Sequence, residues 1–487
     1  DDVVSNIYQE GTDAGSVQRL TQYKTIILRC GFDERKHGFL NPCQSVIDGD
    51  IPSRGDQGTK DSYAPMPFYP TNPYDPNANI CNIVVQRDGG GNLTMMTEDG
   101  EVFEDNTIVE FKYDLTKPEF WRWVPIRVRT DKTAELRQGH KNFGNAYHVA
   151  NSNWHSIHNP ITETMLSTGN GIGDELADDD VYYNPAGPRS QSSTRALRDF
   201  HNLFVKKLLI LSVSQPGDTL IDLAVGKGGD WPKWIQAKLS FVFGVDISKD
   251  NIENRLDGAC ARFLSYSRQF RTLPAALFVQ ANSSVNIRSG EAAFTEKGKQ
   301  VTQAVFGSGP KDAAVLGNGV FKQYGKGRDG FTVSSCQFAI HYFFESETTL
   351  HNFLRNLSEC TVVNGYFIGT CYDGRKIFNQ LVDKPVGGSL VIMDKGKKVW
   401  EVTKEYNQTT FMDNRSSVGY PINVYQESIN KTFREWLVNF EYLRQVMENY
   451  GFVLAPESDL NKLGLGRPTG MFGDLFQLLE TRARSQS

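Results

Sequence analysis

The run Leu220–Asp230, LIDLAVGKGGD, constrains this chain more than any other stretch. An apolar strand that empties into glycines lets backbone approach a ligand where a Cβ would clash. The helix that follows offers free N–H groups and the positive end of its dipole. A second apolar run, FVFGVDIS, places Asp246 at its end, 20 residues beyond Gly226. A carboxylate there can accept both hydroxyls of a ribose, the geometry that holds an adenosine. A glycine turn alone is equally a plain strand–helix connection; with the acid in register that explanation weakens. The loop matches neither GxxxxGKS/T nor GxGxxG, which argues against a nucleoside triphosphatase or a nicotinamide enzyme.

From Thr194 onward strands alternate with helices. TRALRDFHNLFVKKLLILSV is helical in period, with Leu197, Phe200, Phe204 and Leu208 on one stripe. ALFVQAN, FTVSSCQFAIHYFF and GYFIGTCY read as further buried strands, so a parallel α/β sheet is expected. Asn282 closes ALFVQAN, the third apolar strand of this part of the chain, placed either to read an adenine edge or simply as a polar terminus. Gln337, Phe338, His341 and Tyr342 crowd the fourth strand end, where aromatics can sandwich a purine and a histidine can face phosphate. For His341 alone, a satisfied core histidine is the commoner explanation.

Residues 23–133 are β-rich instead. YKTIILRC, NICNIVVQR, NLTMMTEDG, NTIVEFKYD and WVPIRVRTDK alternate apolar with polar residues between turn signals, which predicts a small barrel or sandwich. The Pro-rich PMPFYPTNPYDPNAN between the first two reads as a long structured loop. Residues 151–193, with the acidic DELADDDV and then NPAGPRSQSS, read as a linker, anchored if at all by Trp154 and Ile157. The 487 residues exceed one ordinary core, and the formal charge of −5 rules out a blanket cationic surface for nucleic acid. One local exception runs from Arg122 to Lys141, with six basic residues against two acidic. No apolar run approaches the ~20 residues of a membrane span. The seven scattered cysteines form no CxxC pair, so neither a disulfide framework nor a metal site is expected, and a reduced intracellular setting follows. A start at DDVVSNIYQE, without Met or leader, reads as an excised piece or a processed product.

RDFHNLFVKKLLI, DLAVGKGGDW, GVDIS, QFAIHYFFES and GYFIGTCYDG, in that order, closely resemble the mRNA cap guanine-N7 methyltransferases, in the form found in capping enzymes of large cytoplasmic DNA viruses. The resemblance covers Thr194 to about Glu480. It implies a Rossmann-like class I methyltransferase domain over 194–487 that binds S-adenosylmethionine through Lys206, Gly226, Asp246, Asn282, Ser283 and Gln337. The GpppN cap is then met by Asn202, Lys227, Phe338, His341, Tyr342, Tyr372 and Glu435. Glu435 is matched to the acid that accepts the guanine N1–H and exocyclic amine, although sequence alone makes it a helix-surface charge. Phe476 is the nearest match to a C-terminal cap aromatic. Guanine N7 carries its own lone pair, so no residue is expected to act as acid or base, and catalysis reduces to in-line positioning.

Three departures stand out. The spacing after Phe-His-Asn is longer than usual, which makes Lys206 one residue out of step. Ala224-Val225 replace the usual Gly-Cys, leaving less room beside the donor. Asn282 stands where an Asp is usual.

IVEFKYD followed by FWRWVPIRVRTDKT resembles the end of the oligonucleotide-binding (OB) fold of viral mRNA guanylyltransferases, with Arg129, Asp131 and Lys132 as its RxDK triphosphate motif. Residues 1–150 are thus expected to be a small all-β OB-fold domain. No KxDG lysine exists, so the nucleotidyltransferase and triphosphatase domains are expected upstream and no covalent GMP adduct should form. The viral likeness implies residence in host-cytoplasm factories or virions and leaves open a small stimulatory subunit. Two other readings compete: another methyltransferase, of small molecules or of ribose 2′-O, the latter disfavoured because Gln337 and His341 stand at the fourth-strand position where a Lys-Asp-Lys-Glu set is expected, and a catalytically weak RNA-binding scaffold.

Overall fold

Alternating apolar residues fold the N-terminal part into antiparallel strands. The computed structural model describes residues 4–9, 19–56, 63–71, 73–140, 143–168 and 193–485. The chain divides into two units, the first comprising Asp1–Asn41 and Gln57–Leu176, the second Pro42–Asp56 and Ala177–Ser487.

In the first unit lie β1 (Ser5–Gln9), β2 (Arg19–Ile27), β3 (Arg29–Phe32), β4 (Ala64–Pro67), β5 (Ile80–Arg87), β6 (Leu93–Met96), β7 (Val102–Phe103), β8 (Val109–Tyr113) and β9 (Trp123–Val128). They pair as β1-β2-β5-β6-β7, β3-β4 and β8-β9, antiparallel throughout. Cys81, Ile83 and Val85 turn alternately inward from β5 to meet Met95 and Phe103. The Pro-rich stretch is not all loop, because its first residues form β4. With only β3 as a neighbour, the prolines of β4 need no second ladder. The expected linker also begins as structure. The helix Tyr147–His158 sinks Tyr147 and Trp154 into a core with Phe32 and Phe68, and the Trp154 indole donates to the Pro73 carbonyl at 2.9 Å. Residues 169–192, including the acidic run, lie outside the described residues.

The second unit carries β10 (Thr219–Asp222), β11 (Phe241–Asp246), β12 (Ala275–Gln280), β13 (Phe331–Gln337) and β14 (Thr361–Thr370), all parallel in the order β12-β11-β10-β13-β14. The chain builds outward from β10 on one side, then crosses to the other. The crevice beyond the carboxyl end of β10 is therefore the switch point where ligands bind in such sheets. A separate antiparallel sheet follows: β15 (Ser389–Asp394), β16 (Lys397–Lys404), β17 (Pro421–Gln426) and β18 (Lys431–Trp436). Its core joins Val402, Ile422, Val424 and Leu437 to Phe378 and Leu381 of the helix Gly374–Leu381.

Three local readings are corrected. The helix before β10 is interrupted: Arg195–Asp199 and Lys206–Val213 are α-helical, while Phe200–Val205 forms a π-turn. A π-turn takes up one extra residue and shifts the helical register ahead of Lys206, and Leu197 is exposed, off the expected stripe. The fourth strand stops at Gln337. Phe338 then adopts a φ of 58°, unusual for a residue with a Cβ, and His341 and Tyr342 ride on the 3₁₀ helix Ile340–Glu345. Glu435 lies on β18, opposite Ile422, and not on a helix.

Val225 does not crowd the crevice. A Cβ on Gly244 would lie 2.7 Å from Phe278 Cδ1 and 2.8 Å from Val225 Cγ2, so the valine faces the sheet and fills the place of the missing side chain. Gly244→Ala should therefore cost about 1–3 kcal/mol by overpacking. In a denaturation cycle with Val225→Ala, the two should couple by at least about 0.5 kcal/mol. Simple additivity would mean that Val225 points elsewhere.

Candidate functional site

Asp246 closes β11 beside the glycine loop and is only 8% exposed. Its Oδ2 accepts the Gly226 N–H at 2.8 Å. Its Oδ1 accepts the Ser248 N–H and the Asn251 side-chain amide, both at 3.0 Å. Burial pushes this carboxyl up, and the three hydrogen bonds partly offset the push. A carboxylate accepts about four hydrogen bonds, so Oδ2 keeps room for one more donor. Gly226 and Gly228 have φ of 55° and 66°, and a Cβ on Gly226 would meet nothing within 4 Å. The loop is bent by glycine and open on the side where a ligand would lie. An adenosine with an extended polar tail fits this donor and acceptor set.

Lys206 Nζ reaches Asp230 Oδ2 at 3.0 Å, and Lys233 takes the other oxygen at 2.7 Å. Burial works against the Asp230 charge, but the two ammonium groups outweigh it and hold its pKa low. Asp222, at the end of β10, accepts only the Ala224 N–H, at 3.1 Å, among the described residues. Burial, helped by the Asp230 charge, lifts it to about 7. Asp222 and Asp230 both fall inside LIDLAVGKGGD and are not among the site residues that the sequence points to. The signal was there: an acid at a buried strand end and another just ahead of a helix.

Other expected contacts are already engaged within the protein. Ser283 Oγ donates to the Leu223 carbonyl at 2.7 Å, knitting the turn after β12 to β10. Asn282 Oδ1 accepts the Ser284 N–H. Gln337 Oε1 accepts from the Thr370 hydroxyl at 3.2 Å. Asn202 bonds back to the Arg198 carbonyl within its own turn. Lys227, expected on the cap side, is instead 7% exposed and clamped between Asp250 and Asp257 at 2.8 Å each. That clamp ties the glycine loop to the helix Lys249–Glu253. Arg129 and Asp131 pair at 3.2 Å, and Lys132 meets Glu135 at 2.9 Å, on the helix Thr130–Arg137 and its N-cap and not on a strand face.

A second cluster is unlike the first. His341 and Glu435 are almost fully buried, with Nε2 and Oε1 3.5 Å apart. Among the described residues, neither ring nitrogen of His341 nor Oε2 of Glu435 has a hydrogen-bond partner. Burial alone pushes Glu435 up to about 8 and His341 down to about 3, so near neutral pH the two are an uncharged pair rather than a salt bridge. Tyr342 lies against the His341 ring at 4.3 Å, and Tyr372 stands 6.2 Å away. The Tyr372 hydroxyl accepts from Trp400 and Gln426, partners not foreseen because they come from β16 and β17. Phe338 packs between His201, at 4.9 Å, and Phe472, at 5.9 Å, with Lys206 Nζ 5.9 Å from its ring. Phe472 is the C-terminal aromatic against Phe338; Phe476 contacts Phe200 instead. Buried polar atoms lacking partners are costly, so this cluster stands out from the satisfied polar groups around Asp246.

A parallel sheet with a buried acid closing β11 and a glycine loop at its switch point defines the doubly wound class of fold, whose ligands bind beyond the carboxyl ends of the strands. The mRNA (guanine-N(7))-methyltransferase domain family matches residues 182–464, more than half of the chain, and this protein belongs to that family. Its methyl donor is S-adenosylmethionine. A probable mRNA-capping enzyme of Acanthamoeba polyphaga mimivirus is 30% identical over 74% of this chain and 31% of its own length. The mRNA cap guanine-N(7) methyltransferase of Saccharomyces cerevisiae is 28% identical over 56% of this chain and 54% of its own. The chain thus spans about a third of the viral relative and about half of the yeast one. Among solved structures, an S-adenosylmethionine-dependent methyltransferase from Clostridium acetobutylicum matches at 13% identity and a TM-score of 0.30, over 54% of this chain and 82% of its own.

The ionisation of Glu435 is open to a direct test. Between about 4.5 and about 8 the folded state holds a proton that the unfolded state has lost, so Glu435 makes stability fall as pH rises. His341 works oppositely, but only between about 3 and 6.5. From pH 6.5 to 8, Glu435→Gln should therefore flatten the decline seen in the wild type and melt higher at pH 8. Identical slopes in that window would show that Glu435 ionises normally.

Proposed function

We propose that this chain transfers the methyl group of S-adenosylmethionine to guanine N7 of the GpppN cap of mRNA, as part of a multifunctional viral capping enzyme. The observation that carries the reading is the buried pair His341–Glu435 with its unpartnered polar atoms, in a chain whose other site has the features of an adenosine crevice. The Glu435 carboxylate has the acceptor geometry for guanine N1–H and its exocyclic amine. Adenine offers no such pair of donors, so the same acid would select the base.

The cofactor supplies an electrophilic sulfonium methyl, and the chain supplies position. Asp246 would accept from the ribose, with Asn282 and Ser283 near the adenine and Gln337 and Lys206 toward the methionine part. Guanine N7 needs no base, since it has no proton to lose. Holding N7 in line is worth ~7–11 kcal/mol in comparable alignments. As the methylated guanine gains positive charge, an ionised Glu435 in a poorly hydrated wall would stabilise it.

The first unit, in this reading, is the OB-fold end of a guanylyltransferase, with Arg129, Asp131 and Lys132 facing triphosphate. The likeness to the mimivirus enzyme supports this, because it extends over more of the chain than the methyltransferase match does. Upstream nucleotidyltransferase and triphosphatase domains, and action in a host-cytoplasm factory or the virion, belong to the same proposal.

Labelled S-adenosylmethionine with GpppA-capped RNA should place label on guanine N7, mapped after nuclease digestion. Asp246→Ala should abolish transfer with the fold retained; wild-type rates in that variant would refute the donor site. Guanine binding must ionise Glu435, so GpppA should release protons at pH 7, seen as a buffer-dependent calorimetric enthalpy. That release should vanish in Glu435→Gln, which should also raise the KM for cap more than the KM for the methyl donor.

A further inference from the structure

The second unit contains a segment from far upstream, residues 42–56, flanked on both sides by sequence of the first unit. Its helix, Pro42–Asp48, buries Val46 and packs on the helices Lys249–Glu253, Ala259–Gln269 and Asn318–Phe321. Three contacts fix its seat. The Cys43 thiol donates to the Ile252 carbonyl at 3.7 Å and also meets the Cys260 thiol. The Gly55 N–H donates to the Arg268 carbonyl at 3.0 Å. The Val46 and Ile47 carbonyls press on Gly319 so closely that a Cβ there would lie 2.1 and 2.8 Å from them.

We propose that this inserted segment is a positioning element for the methyl-donor crevice, acting through the helix Lys249–Glu253. The inference rests on the reading of Asp246 as the ribose acid. Lys249–Glu253 is five residues long, too short to hold its shape without tertiary support. Yet it carries Asn251, which bonds Asp246, and Asp250, which clamps Lys227 of the glycine loop. Cys43 satisfies a carbonyl in its last turn, one of the groups a helix end leaves without an internal partner. With the segment displaced, that turn frays, Asn251 loses its register on Asp246 and the loop loses its clamp. The donor should bind less tightly while the cap pocket, built from Ile340–Glu345 and β18, keeps its form.

Cys43 also reports its own seating. Hydrogen bonding to Cys260 and burial raise its pKa far above the usual thiol value, so the seated thiol should be unreactive. In the full chain, Gly319→Ala and Val46→Asp are compared with wild type, with near-UV circular dichroism as the check on fold. Alkylation of Cys43 by N-ethylmaleimide reads seating, and calorimetry with S-adenosylhomocysteine reads the crevice. Both variants should speed Cys43 alkylation and weaken S-adenosylhomocysteine roughly tenfold, with the KM for GpppA unchanged. Where Val46→Asp does not fold, the milder Gly319→Ala decides. Exposed Cys43 with undiminished affinity overturns the proposal, as does Cys43 protected in every folded variant. Asp246→Ala separates the two readings: it should weaken S-adenosylhomocysteine with Cys43 still protected, and wild-type affinity there would defeat the ribose assignment instead.

Discussion

Asp246 is a charge taken out of water, and the organisation of the crevice depends on how it is satisfied. A buried carboxylate either takes up a proton or gathers donors. Here it gathers the Gly226 N–H from the loop after β10, and Ser248 and Asn251 from the turn and helix after β11. Those bonds hold two adjacent strand ends at one separation. The neighbouring clamp of Lys227 by Asp250 and Asp257 repeats the arrangement with the signs reversed, so the loop is tied to the same short helix twice.

The two halves of the site are built on opposite principles. Around Asp246, Ser283 and Gln337, polar groups bond to one another and shape a crevice whose bare wall is glycine. Around His341 and Glu435, polar atoms are buried and have no partner among the described residues. The first arrangement is satisfied by the protein's own groups. Under the proposed reading the second would take its missing bonds from a bound base, which would make recognition steep: a base unable to repay the desolvation of each orphaned atom would be refused.

Much of the parallel sheet was legible in the sequence because its signals are local. Continuous apolar runs that end in glycine or acid read as buried strands in any context, and LIDLAVGKGGD with FVFGVDIS gave both the crevice and its acid. Features set by distant partners were not legible. Glu435 sits in KTFREW, whose half-buried alternation is easily taken for one face of a helix; only pairing with β17 makes it a strand. Lys227 reads as a cation free for phosphate until Asp250 and Asp257 fold against it. The Phe200–Val205 π-turn hides inside a good helical period, betrayed only by a spacing one residue too long. Tyr147 and Trp154 carry a real signal, two large aromatics seven positions apart on one helix face, beside the polar residues that suggested a linker.

Membership of residues 42–56 in the second unit bears on how the chain folds. Cys43 and the carbonyl it meets are 209 residues apart in sequence, and the glycine that seats Val46 lies farther still. Such contacts close late, because loop entropy must be overcome before they form. During synthesis the segment emerges long before its receptor, and its one buried valine has nothing to cover it. Completion of the crevice is thereby deferred until well after β12 has left the ribosome, when one early-made helix finally meets the three that receive it.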